Sequence, residues 1–415
     1  MYVEDLLVED LFAQYGVLRA GSVNELIDLA AACNAGVVPR SNRVAAVSVS
    51  GGGAVMISDA AAAGGLDLPD YPAEALCALK EVNAFVNDRN PIDISAPSMS
   101  NMAITGGHLK WGTERDADSM LGYISHIPLV PRTRVDLMPH LMALTAKHPD
   151  KLVALAGNFL PEDRKALVQT GMAVFDDPTV ATRAVAKLAK TGAAFAKAPA
   201  TPEPAKAGQD LHAALTEAGM VMAEETKVAT VDAALEALGR HGAIALKLAA
   251  TSLTHRTEIG GVSADLTTPE AVREAFGALS ATLAAHGEAH PGLTIIAQPQ
   301  VQGVEVLIGV RQDPHFGPLV LLGSGGTLCE LFDDLTYRKT PLARTDAEAM
   351  VDAIRAARLF DGWRGAPAVD RGALVAGLLG LAQAAPALPS FEINPLMVTE
   401  TGLVGVDLVV AGGTA

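Results

Sequence analysis

The stretch VSVSGGGAVMISDA, residues 47–60, runs from β-branched residues through three consecutive glycines into a series of helix formers. A strand that breaks at Gly51, Gly52 and Gly53 and restarts as a helix aims several unpaired backbone N–H groups, and the positive end of a helix dipole, at one point. Such a point suits phosphate. The segment has neither the lysine and hydroxyl of a Walker A loop nor the spacing G-x-G-x-x-G, so neither standard nucleotide motif accounts for it.

The flanking sequence supplies the context. From Val44 to about Leu188, short apolar runs (RVAAVSVS, NPIDIS, KLVALAG, MAVFDD) alternate with amphipathic stretches (PEDRKALVQTG, PTVATRAVAKLAKTG). This βα alternation predicts an α/β domain with a parallel sheet of about five strands, helices on both faces, and ligands at the carboxyl ends of the strands. Residues 39–192 are assigned to it, and the glycine turn lies at the first such end. Asn90, Pro91 and Asp93 flank the second strand, with two readings open: lining of the same crevice, or a plain Asn-Pro turn.

Residues 1–38 read as two helices, the second capped by Ser22 with Glu25 completing a capping box. They are too few for a core of their own, and the expectation is that they are the tail of an upstream domain. AAFAKAPATPEPAKAG, residues 193–208, is Ala/Pro-rich without hydrophobic periodicity and reads as a linker. Residues 209–415 form a second, α+β domain. There a hydrophobic strand carries Lys247, a polar loop carries His255, and further strands joined by glycine turns follow, read as antiparallel.

Composition narrows the function classes. A length of 415 residues, 50% hydrophobic but only 4% aromatic, fits two or three globular domains with Ala, Val and Leu cores. The formal charge of -16, without a basic run, argues against nucleic acid or an anionic membrane as partner. Cys33, Cys77 and Cys329 lie far apart without metal-ligand spacing, and the N-terminus MYVEDLLVEDLF is acidic where a signal peptide is basic. A cytoplasmic protein is the expectation.

Several residues carry candidate chemistry. In FEINPLMVTETGLVGVD (391–407), Asn394 ends one strand and Asp407 lies on the next. An amide oxygen and a carboxylate presented from one hairpin suit Mg²⁺, with a surface turn as the alternative. Lys247 is an interior strand residue whose charge needs a partner such as phosphate, or else snorkels to solvent. His255 precedes a Gly260-Gly261 turn. It reads either as a neutral phosphoryl acceptor or as a surface residue; His108 is a weaker candidate for the same chemistry. Gly323, Gly325 and Gly326, followed by Glu330, allow close approach to phosphate or simply form a β-turn.

Taken in order, ALKLAATSLTHRTEIGGV (245–262), QGVEVLIGVRQDPHFGPLVLLGSGGTLCELFDDLTYR (302–338), LFDGWRGAPAVD (359–370) and FEINPLMVTETGLVGVD resemble the two-lobed ATP-grasp domain of NDP-forming acyl-CoA synthetases, the acetate-CoA ligase and succinyl-CoA synthetase superfamily. RVAAVSVSGGGAVMISDAAAAGGLDLPDYP (43–72) with NDRNPIDISA (87–96) resembles the flavodoxin-like CoA-ligase subdomain that precedes it in single-chain members.

The resemblance implies formation of acyl-CoA from a carboxylic acid, CoA and ATP through an acyl phosphate and a phosphohistidine. It implies that Lys247 holds ATP phosphates, and that Gln298, Pro299, Gln300 and Val301 form the hinge strand against adenine. Glu305, Gly325 and Gly326 fall among the ATP-binding positions, and Asn394 and Asp407 bind Mg²⁺. His255 matches a second histidine that relays phosphate, and Ser50, Gly51, Gly52 and Gly53 cradle a phosphohistidine from a neighbouring domain. Glu330 and Arg364 match recurrent positions without an assigned role.

Departures accompany the matches. The Ser-His-Thr-Gly loop of the primary phosphohistidine does not occur here, nor does the CoA-binding Rossmann domain, so a CoA-binding domain or subunit in trans is the expected partner. The loop reads HRTE where lysine usually follows histidine, and GSGG where an apolar residue often precedes the paired glycines. An ATP-binding remnant or regulatory subunit without net ligase activity is the alternative reading. A carboxylase-type ATP-grasp ligase is disfavoured by the fused flavodoxin-like domain.

Overall fold

The computed structural model describes residues 2–94, 101–195, 210–249, 259–287, 290–326 and 331–411. Two compact units divide the chain, Phe12–Ala198 and a second made of Met1–Leu11 with Pro199–Ala415. Two helices begin it, α1 (Tyr2–Tyr15) and α2 (Val23–Cys33). Ser22 caps α2 by accepting from the Glu25 amide, but the Glu25 carboxylate reaches back to the amide of Gly21, one residue before the cap, so the box is closed differently from the expected form.

In the first unit, α2 is followed by β1 (Val44–Ser48), α3 (Gly51–Gly64), α4 (Ala73–Val82), β2 (Ile92–Asp93), α5 (Met102–Thr113), β3 (Ser119–Ser125), α6 (Pro131–Met142), β4 (Leu152–Gly157), α7 (Pro161–Gln169), β5 (Ala173–Phe175) and α8 (Pro178–Phe195). The strands form one parallel sheet in the order β2-β1-β3-β4-β5, the flavodoxin-like doubly wound order. Every residue of β1 and β4 is buried, as a central parallel strand covered on both faces requires. The two faces carry separate cores. Val47, Ile92, Leu109, Met120, Leu137 and Leu155 fill one; Leu29, Ala46, Ile57, Leu121, Ala154 and Val185 fill the other.

Asn90 has a structural part in this sheet. Its side-chain oxygen accepts from Ala46 N at 3.0 Å, and its nitrogen donates to Val44 O at 2.8 Å and Pro69 O at 3.2 Å. The side chain therefore extends the short strand β2 along the edge of β1.

The second unit contains α9 (Leu211–Glu217), β6 (Met220–Met222), β7 (Thr226–Lys227), α10 (Val231–His241), β8 (Ile244–Ala249), β9 (Val262–Leu266), α11 (Pro269–His286), β10 (Thr294–Pro299), β11 (Val304–Asp313), β12 (Gly317–Ser324), β13 (Leu335–Lys339), α12 (Arg344–Ala353), α13 (Arg371–Ala384), β14 (Phe391–Val398), β15 (Leu403–Gly405) and β16 (Leu408–Val410). Two sheets result, β7-β10-β8-β9 and β13-β12-β11-β14-β15-β6, with β16 also pairing β14. All pairs are antiparallel except β15 with β6.

Each sheet has its own core, so the unit is two-lobed. α10 and α11 cover the smaller sheet through Ala234, Leu246, Val272 and Leu279. α12 and α13 cover the larger through Met350, Leu374, Leu378, Ile308 and Leu396. On the larger sheet, Leu7 and Leu11 of α1 pack against Leu319 and Tyr337, and the Asp10 carboxylate accepts from the Tyr337 amide at 2.7 Å. Among the described residues, no helix is long and apolar enough to cross a membrane.

Replacing Asn90 with alanine removes two hydrogen bonds from the β1 edge and a third from Pro69 O. The expected loss is about 1–3 kcal/mol, because Val44 O and Pro69 O each lose a donor, while Ala46 N keeps the Tyr71 hydroxyl as acceptor at 3.2 Å. A urea transition at the wild-type midpoint would contradict this reading.

Candidate functional site

In the first unit, β1 ends at Ser48 and α3 begins three residues later, with Ser50 as N-cap. The hydroxyl of Ser48 donates to Ser50 O and accepts from Ser50 N, while Ser50 Oγ accepts from the Gly53 amide. This fixes the turn without using the first two helical amides. Gly51 and Gly52 are exposed, and their N–H groups find no partner among the described residues.

The glycines differ in why they are glycines. A Cβ on Gly53 would lie 2.2 Å from the Tyr123 ring and 2.9 Å from Ser48 Oγ, whereas one on Gly52 meets only Ser50 Oγ at 3.7 Å. A Cβ on Gly51 would lie 3.0 Å from the Asp93 carboxylate, so Asp93 does border the turn. The arrangement can hold an anion at exposed helix-end amides.

In the second unit, β8 carries Lys247 in the middle of the smaller sheet, opposite Ile296 on one side and Val262 on the other. The residue is 5% exposed. Its Nζ lies 3.4 Å from Asp407 Oδ2, and Asp407 belongs to the larger sheet's connection between β15 and β16. The ammonium does not snorkel; it is paired across the two lobes. Burial makes such a charge costly unless it has a partner.

Asn394 stands next to this pair. It lies within β14, rather than ending it, and its amide donates to Asp407 O at 3.0 Å. Asp407 sits in the connection, not on a strand. The Asn394 side-chain oxygen accepts from the Gly326 amide at 2.8 Å, and a carboxamide oxygen has a second lone pair to offer. An amide oxygen beside a carboxylate is a hard donor set that fits Mg²⁺, which takes one or two protein oxygens and completes its shell with water and phosphate. Among the described residues, no group of three His, Cys, Asp or Glu is arranged to hold a metal.

The paired glycines serve the fold directly. Gly325 donates to Glu305 O at 3.0 Å, and a Cβ there would lie 2.6 Å from the backbone of Glu305 and Val306. Gly326 has φ 63, and its Cβ would meet the Glu305 carboxylate at 2.5 Å. Both amides are thus used within the protein, and the turn is held against β11. Gly323 is a strand residue beside Asp334 and Leu335 of the neighbouring chain segment.

Gln298, 2% exposed on β10, bridges the lobes a second time. Its nitrogen donates to Glu225 Oε1 and to Val406 O, both at 3.1 Å. Two acceptors on one side fix the orientation of the amide. Val406 immediately precedes Asp407, so hinge strand and acidic residue are tied together. Pro299 ends β10, Gln300 donates its amide to Ala243 O and accepts from the Asp265 amide, and Val301 follows in the connection to β11.

The chain as a whole is similar to known proteins. A model of the ATP-grasp domain matches residues 202–411. The chain belongs to the ATP-grasp family. Over 168 residues the chain is 30% identical to the acetate–CoA ligase [ADP-forming] I subunit beta of Pyrococcus furiosus, covering 40% of this chain and 72% of that subunit. Longer matches also occur. Acetate–CoA ligase [ADP-forming] I of Archaeoglobus fulgidus is 26% identical over 422 residues, spanning 95% of this chain and 60% of the relative. The 4-hydroxybutyrate–CoA ligase [ADP-forming] of Nitrosopumilus maritimus is 22% identical over 423 residues, spanning 96% of this chain and 61% of the relative. The chain therefore spans about three fifths of the length of these two relatives.

Within this ATP-grasp chain, the structure brings Lys247, Asp407, Asn394, Gly326, Glu305 and Gln298 into one connected neighbourhood. Arg364 is exposed, has φ 50, and places its guanidinium 6.0 Å from the Trp363 ring. His255 and Glu330 lie outside the described residues. His108 is 1% exposed inside α5, which does not suit a travelling phosphoryl carrier. Glu225 was not anticipated, because its acceptor role depends on Gln298, 73 residues away in the chain.

Gly53→Ala drives a Cβ into Tyr123 and is expected to destabilise the first unit by about 1–3 kcal/mol. Gly52→Ala, with open space around it, should leave the urea midpoint close to wild type. Equal midpoints for the two variants would contradict the packing argument.

Proposed function

We propose that this chain is the ATP-grasp and CoA-ligase part of an NDP-forming acyl-CoA synthetase. It binds ATP, drives formation of acyl-CoA from a carboxylic acid and CoA through an acyl phosphate and a phosphohistidine, and works with a CoA-binding domain or subunit. The observation that carries this reading is the buried Lys247 ammonium held against Asp407, with Asn394 alongside, in the ATP-grasp part.

Lys247 would take the negative charge of the nucleotide phosphates, replacing a carboxylate partner by a phosphate one. Gln298 to Val301 would line the adenine, with Glu305 and the Gly325-Gly326 turn shaping the wall nearby. Asn394 and Asp407 would hold Mg²⁺, which supplies charge neutralisation for phosphoryl transfer, a reaction governed mainly by positioning and electrostatics. His255 would receive the γ-phosphoryl group on a ring nitrogen, leaving ADP, and carry it away from the nucleotide.

At the glycine turn, the exposed amides of Gly51 and Gly52 at the start of α3 would stabilise a phosphorylated histidine brought there by another domain. That group passes its phosphoryl to the acid's carboxylate oxygen, and CoA thiolate then displaces phosphate from the acyl phosphate. The Asp93 carboxylate borders the turn beside Gly51 and would help shape the space the phosphorylated side chain enters. The relatives are named for different acids, acetate and 4-hydroxybutyrate, so the similarity supports the reaction class and leaves the acid open.

Incubation of the chain with γ-labelled ATP and Mg²⁺ tests the relay. Acid-labile, base-stable label on the protein, absent from His255→Asn, is expected. No label on the wild-type chain in the presence of an added CoA-binding subunit, or equal labelling of His255→Asn, would contradict the proposal.

A further inference from the structure

One carboxylate in the second unit is claimed by two cations. Of the two donors that fit Mg²⁺, Asn394 is neutral and only Asp407 carries charge, so the attraction for a metal rests on the Asp407 carboxylate. That carboxylate already faces a cation: Lys247 Nζ lies 3.4 Å from its Oδ2.

The geometry shows which partner can give way. The chain at Asp407 is held from both sides, since Asp407 O accepts from the Asn394 amide at 3.0 Å, Val406 N donates to Pro395 O at 3.0 Å, and Val406 O accepts from Gln298 Nε2 at 3.1 Å. The carboxylate is short and stays near this fixed backbone. Lys247 has its own backbone fixed by the pairing of β8 with β10 and β9, but its ammonium stands at the end of a flexible four-carbon stem. The ammonium is the movable member of the pair.

Two cations share such a carboxylate badly. Lys247 is 5% exposed and the Asp407 side chain 25%, so water screens little between them and like charges repel more strongly than on an open surface. The ammonium also needs its counter-ion, because an unpaired buried charge is destabilising in itself. A metal that took Asp407 alone would leave Lys247 both unpaired and repelled. A polyphosphate removes the conflict: it offers the ammonium another anion and releases Asp407 in the same step.

We propose that Lys247 is a gate for the metal, holding Asp407 against divalent cations until nucleotide phosphate draws the ammonium away. Metal and nucleotide then bind together, and the free ion binds poorly. The gate rests on the assignment of nucleotide and Mg²⁺ to this neighbourhood, and adds the condition under which the metal is admitted. Coupling of this kind is reciprocal, so a metal on Asp407 also commits Lys247 to the phosphate.

The test uses Mn²⁺, a divalent ion that takes the same oxygen ligands as Mg²⁺ and whose free form is counted by electron paramagnetic resonance, on the full chain without nucleotide. The wild-type chain is expected to show only the weak binding of surface carboxylates. Lys247→Gln keeps a hydrogen-bond donor for Asp407 and removes the charge. It should gain one Mn²⁺ site at least about tenfold tighter, a factor within the usual range of coupling between sites. Lys247→Met should gain the same site, and Lys247→Gln combined with Asp407→Asn should lose it. Equal Mn²⁺ affinity in wild type and Lys247→Gln, a gained site that survives Asp407→Asn, or a one-to-one site in the wild-type chain that Asp407→Asn removes would each overturn the gate; the last needs no Lys247 variant to fold. The wild-type chain is titrated in parallel with the Mn²⁺ complex of a non-hydrolysable ATP analogue. Binding of that complex leaves the nucleotide reading standing when the gate fails, and no binding would overturn both.

Discussion

The second unit depends on how one buried ammonium is neutralised. Lys247 rises from the centre of a four-stranded sheet whose other central residues are Ile, Leu and Ala, and Asp407 meets it from the larger sheet. Around this pair the remaining constraints fall into place. Gln298 fixes Val406 beside Asp407, Asn394 is bonded to Asp407 through the backbone, and its side chain holds the Gly326 amide. A cation buried to this degree exchanges one anionic partner for another far more readily than it does without any, because an unpaired buried charge carries a penalty of several kcal/mol. A polyphosphate entering this neighbourhood is such an alternative partner.

The first unit solves a different problem, exposing donors at a strand end while keeping the sheet closed. The Ser48 and Ser50 hydroxyls satisfy the turn internally, so the amides of Gly51 and Gly52 remain directed outward. Tyr123 packs over Gly53 and fixes where the helix starts. Asn90 completes the edge of β1 from the side, so the residue that read as crevice lining or as a turn is a backbone mimic. A rigid strand end and a helix N-terminus are thereby placed together, as the doubly wound topology provides at its carboxyl edge.

Local chemistry made much of this legible in the sequence. The Ser-Gly-Gly-Gly run announced the strand-to-helix turn, and βα alternation announced the parallel sheet, because both are governed by neighbouring residues. The isolated Lys247 among apolar residues signalled a partner, although not which one. What was hidden depends on contacts distant in the chain. The Lys247–Asp407 pair spans 160 residues, the Gln298–Glu225 bond spans 73, and Asp10 meets the Tyr337 amide from 327 residues away. The reading of Gly325 and Gly326 as phosphate-approaching glycines took no account of β11, where a Cβ on Gly325 would meet the backbone of Glu305 and Val306 and one on Gly326 the Glu305 carboxylate. His108 looked like a reactive side chain because burial cannot be seen from its neighbours in TGGHLKWG.

The most direct measurement is calorimetry of a non-hydrolysable ATP analogue with and without Mg²⁺, on the wild-type chain and on Asp407→Ala. The Lys247–Asp407–Asn394 account requires Mg²⁺ to tighten binding by at least tenfold in the wild-type chain, and Asp407→Ala to lose that increment while still binding the analogue in metal-free buffer. A Mg²⁺ increment of the same size in Asp407→Ala would contradict it.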